Sequence, residues 1–176
     1  MNSVAARLRA IGATLLAFAL AAAALAALVE GLERFPALTR LLPGSVPDPA
    51  GWIGLLLAPR YPALLAALFL IVAAAVTLLR SAYLDRMLEI FGDVLLMILA
   101  ASLGATAGTW ALLRLLGAAP ALDMAQVLPL GVLAALVFLV LLIAPTRVRG
   151  NVLLRTLAVI VFVLAAPVLL AWVWTL

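Results

Sequence analysis

IGATLLAFALAAAALAALV, residues Ile11–Val29, carries no charge, and Thr14 is its one polar side chain. A run of about 18 or more apolar residues is long enough to cross the hydrocarbon core of a bilayer. Arg7 and Arg9 precede it and Glu30 closes it, so charge returns where the run ends. A secretory signal would have the same basic start, and Ala-x-Ala sites abound between Ala21 and Ala27. The apolar stretch, however, exceeds the roughly 7–15 residues of a signal core, which favours a retained helix.

The rest of the chain repeats the theme. Apolar residues make up 69% of it and charged residues 10%. Ordinary soluble domains are about 45–50% apolar and about 25% charged. The surplus apolar surface needs a solvent other than water. Further spans are expected at about 62–79, 90–116, 127–144 and 153–174, each bounded by charge, proline or a turn. The fold expected is an all-α membrane protein, a bundle of five transmembrane helices forming one domain over 1–176. It becomes four helices if the first is removed as a signal.

Residues 30–61 differ from the spans. Glu30 and Arg34 are spaced for a helical ion pair, so a short helix is expected to continue through Thr39. Pro43-Gly44 and Pro47-Asp48-Pro49 then interrupt it. The apolar piece Gly51–Ala58 is too short to span and is bracketed by Trp52 and Tyr61, residue types that favour the headgroup boundary. Around Pro47-Asp48-Pro49 and Tyr61-Pro62 the layout resembles the small membrane subunit of tripartite carboxylate transporters. Members of that family have four spans and a more glycine-rich loop, and no residue role carries over.

The basic residues set the orientation. All eleven are arginine. Seven of them (Arg7, Arg9, Arg80, Arg86, Arg147, Arg149 and Arg155) fall at one set of span ends; Arg34, Arg40, Arg60 and Arg114 fall at the other. By the positive-inside rule the amino terminus is cytoplasmic and the carboxyl terminus extracytoplasmic. The cell membrane expected is the bacterial inner membrane. The net charge of +4 does not indicate nucleic acid, because the arginines sit at the ends of apolar runs rather than on one face. Arg147, Arg149 and Arg155 are expected to touch lipid headgroups.

Residue types restrict the chemistry. Cysteine, histidine and lysine are absent, which excludes disulfides, thiolate or histidine metal sites, haem ligation by histidine and Schiff bases. No cofactor, metal or catalytic residue is expected, and the chain reads as a non-enzyme. The third span holds the residues that lipid alone does not explain. Gly104 and Gly108 form a Gly-xxx-Gly pair in a slender stretch with Ala100, Ala101, Ala105 and Ala107. Such a face lets two helix backbones approach closely, and Ser102, Thr106 and Thr109 can add hydrogen bonds between helices. Its partner is either another helix of the chain, such as the alanine-rich first span, or a second subunit. Asp93 is the candidate proton or ion site, although with Asp85 and Glu89 it also suits the start of a helix, where carboxylates complement the dipole. Arg86 is spaced to pair with Glu89. Pro167 is expected to kink the last span or end its regular hydrogen bonding.

The function expected is that of an accessory or structural membrane subunit of a larger complex, with the small membrane subunit of a multi-component solute transporter as the alternative. The partners are then the bilayer and either other membrane subunits or further copies of the chain.

Overall fold

A computed structural model describes residues 4–33, 49–58, 60–79, 81–117, 124–143 and 152–175. Every element among them is an α-helix: α1 (Val4–Glu33), α2 (Pro49–Leu57), α3 (Arg60–Leu79), α4 (Ala82–Leu115), α5 (Met124–Ile143) and α6 (Val152–Trp174). Four runs are long and apolar enough to cross a membrane: Val4–Leu32, Pro49–Leu79, Ala82–Leu115 and Val152–Trp174. Within α5 the apolar run Val127–Ile143 is shorter.

Local chemistry explains where the helices begin and end. Pro49 opens α2, where the missing N–H costs nothing because no carbonyl awaits it. Ser81, a residue type favoured at helix starts, precedes α4, and its carbonyl accepts the Asp85 N–H at 3.0 Å. The helix therefore starts at Ala82, ahead of the expected third span, and absorbs most of the expected link. Asp85 in the first turn and Arg114 in the last both complement the dipole. Gly117 ends this segment with a positive φ of 76°, which other residues adopt only at a cost. Its N–H donates to the Arg114 carbonyl at 3.2 Å.

Pro167 does not end the last helix. α6 continues through Pro167 to Trp174, and α5 continues through Pro129 near its start. The expected continuation of the first helix reaches Glu33; the remainder of that expectation, and the Pro43–Gly44 break, lie outside the described residues.

The chain forms two compact units. The first combines residues 1–58 with 100–127, and the second combines 59–99 with 128–176. In the first unit α1 packs on the second half of α4. In the second, α3 packs along α6, and alanines dominate its buried face at Ala63, Ala66, Ala67, Ala73 and Ala74. Phe69, fully buried, meets Phe91 edge to face, with centroids 5.7 Å apart and planes at 72°. Such a pair contributes about 0.5–1.5 kcal/mol beyond its buried area. α3 and α4 are joined through residues 80 and 81 alone. A contact between residues so far from that link requires the two helices to fold back on one another as an antiparallel hairpin.

Candidate functional site

The glycine face of α4 is occupied by α1. A Cβ placed on Gly104 would overlap the Leu15 carbonyl oxygen and lie 3.0 Å from Leu15 Cα. One placed on Gly108 would overlap the Ala19 carbonyl oxygen and lie 2.7 Å from Ala19 Cα. Backbone meets backbone at both positions. Gly104 and Gly108 are four residues apart, as are Leu15 and Ala19, and they pair in the same order. The two helices therefore run parallel, one turn matching one turn. Between apolar helices in lipid the attraction is close van der Waals contact, and only glycine allows this separation.

The Thr106 hydroxyl on this stretch stays with its own helix. Thr106 is buried and its Oγ1 donates to the Ser102 carbonyl at 2.8 Å. Thr77 and Thr156 bond the same way to Ala73 and Val152, at 2.6 and 3.0 Å. Thr109 is fully buried, and its Oγ1 has no hydrogen-bond partner. Ser102 is half-buried. Among the described residues none of the three expected donors reaches another helix, and Thr106 bonds instead to the carbonyl four residues back.

Gly92 is a second close approach, in the other unit, that the sequence reading passed over. A Cβ there would lie 2.6 Å from a methyl of Leu141 on α5. The available signal was an isolated glycine inside a helical pattern, between Phe91 and Asp93.

Asp93 follows Gly92 and is half-buried. The expected Arg86–Glu89 pair is not formed: both side chains are exposed, and no ion pair joins them among the described residues.

Arg155 is half-buried in the first turn of α6, while Arg147 and Arg149 lie outside the described residues. Arg114 is exposed. Among the described residues no group of three or more potential metal ligands comes together. No family model matches the chain, and neither a curated protein nor a solved structure matches it.

Proposed function

We propose that the chain is a five-span protein of the bacterial inner membrane, serving as a non-catalytic accessory subunit of a larger membrane complex. The observation that carries this reading is the α1–α4 seam. The glycines that permit close helix approach are used within the chain, on Leu15 and Ala19. Beyond that seam α1 remains open, with only 6% of its apolar window buried. A helix held along one narrow line, with a broad apolar exterior, suits a position among lipids and neighbouring subunits.

Helix directions support the five-span count. α1 and α4 run parallel, as first and third spans would. α3 and α4 run antiparallel, as consecutive spans would. The seam also supports α1 as a retained helix, since its loss would leave a bare glycine face. The arginine bias then puts the amino terminus in the cytoplasm.

The test is purification of the native protein in a gentle detergent, with mass spectrometry of what accompanies it. Stoichiometric membrane partners are expected. A chain that purifies with no other membrane protein overturns the reading.

A transporter component is favoured by one observation, the half-buried Asp93 on an otherwise apolar stretch of α4. Ionisable groups at membrane depth are costly and commonly mark proton or ion paths. Asp93→Asn separates the two readings. For a structural subunit, complex assembly and activity stay within about twofold of wild type, an effect below ~0.5 kcal/mol. Loss of an ion-dependent transport activity in an intact complex would favour the transporter.

A further inference from the structure

α6 carries its proline at the depth where a spanning helix has fewest ways to accommodate one. Pro167 has no N–H, so the Val163 carbonyl, four residues back, loses the donor that the helical pattern would give it. Val163 is the midpoint of Val152–Trp174, about 16 Å from each end at 1.5 Å per residue. Every side chain from Leu157 to Ala171 is apolar. The hydroxyls at the two ends of α6 are already used: Thr156 donates to the Val152 carbonyl at 3.0 Å, and Thr175 to the Trp172 carbonyl at 2.7 Å.

The open acceptor lies on the outward side. The buried residues of α6 are Phe162, Ala166, Leu169 and Val173. Val163, Leu164 and Val168 are instead 50, 61 and 67% exposed, and Pro167 is exposed with them. Prolines are tolerated in spanning helices because neighbouring helices, nearby hydroxyls or water supply the missing donor. Among the described residues no helix of this chain covers that side, and hydrocarbon has no donor to offer. A second copy related by two-fold symmetry would bring the same donorless face, so a different chain is required. We propose that the face of α6 around Pro167 docks on a neighbouring subunit, through a spanning helix whose Ser, Thr, Asn or Gln side chain donates to the Val163 carbonyl. Leu164 and Val168 supply the packing beside that bond. The inference rests on the reading of the chain as a complex subunit and names the surface it uses.

A photoreactive phenylalanine analogue is placed at Leu164 or Val168 in native membranes, with Leu68, exposed on α3, as the control position. The expected adduct joins one co-purifying membrane protein, at a span that carries such a donor. In Pro167→Ala the restored N–H competes for the carbonyl, and the yield should fall about threefold, the size of one hydrogen bond between helices in a membrane. Alanine suits a helix interior better than proline, so that fall is not lost folding. Replacing the partner's donor with alanine should lower the yield equally, and the two changes together should lower it no further. Adducts with lipid alone or with a second copy, no more adduct than from Leu68, a target span without a donor, or additive effects of the two changes would each overturn the proposal. Subunits that co-purify but crosslink elsewhere refute this docking face and leave the subunit reading intact. Absence of any co-purifying membrane protein refutes both.

Discussion

At the scale of single residues the glycines of this chain divide by what faces them. Gly108 faces the Ala19 carbonyl, a backbone atom that cannot rotate aside, so even one methyl forces the two helices apart. Gly131, on α5, has nothing within 4 Å of where its Cβ would stand. Gly108→Ala should therefore lower stability by about 1–3 kcal/mol, the usual cost of overpacking. Gly131→Ala should raise it by up to about 1 kcal/mol through helix propensity. Thermal unfolding in one detergent reads both; equal shifts for the two variants would contradict the seam. Thr109 makes a complementary case. Its hydroxyl is buried and unbonded, so the folded state bears the desolvation cost of a polar group and receives no bond in return. Thr109→Val keeps the shape and removes the cost, and should leave stability unchanged or raise it by about 1 kcal/mol. A clear drop in unfolding temperature would mean that the hydroxyl is bonded in the membrane.

At the scale of elements, what the sequence made legible was the existence of the helices; their pairing was not. The apolar runs and their bounding charges marked every helix longer than α2. The start of α4 was misread because Ser81, its cap, lies before a stretch with four charged residues that resembles a loop. The Gly104–Gly108 pair announced a close approach, but Leu15 and Ala19 could not be singled out. An alanine-rich helix offers many equivalent registers, and only side-chain geometry in three dimensions selects one. Gly92 against Leu141 shows how such a register is held. Gly92→Ala should destabilise modestly, by about 1 kcal/mol, because the Leu141 methyls can rotate only part of the way clear. Leu141→Ala alone should cost about 2–5 kcal/mol as a buried leucine truncated to alanine. The double variant should cost less than the two added together, since the new methyl then fills space that leucine has left. Strict additivity in unfolding measurements would show that α4 and α5 do not meet there.

At the scale of the molecule the proposed five-span topology rests on the parallel α1–α4 pair as well as on the arginine count. Two helices that pack in parallel across a bilayer enter it from the same side. An odd number of crossings over the whole chain follows if each of α5 and α6 adds one. The α5 segment is the deciding element, because its described apolar run is the shortest of the five, though the helix itself has 20 residues. At 1.5 Å per residue that is about 30 Å, enough to match the hydrocarbon thickness without tilt. A reporter active only outside the cytoplasm, fused after Leu176, should therefore be active, and the same reporter fused ahead of Met1 should be silent. Activity at neither end would reduce the crossings to an even number and make α5 a helix that enters the membrane without crossing it. The α1–α4 seam would survive that result, since it depends on Gly104 and Gly108 alone, but the carboxyl terminus would move to the cytoplasmic side together with the exposed Trp174.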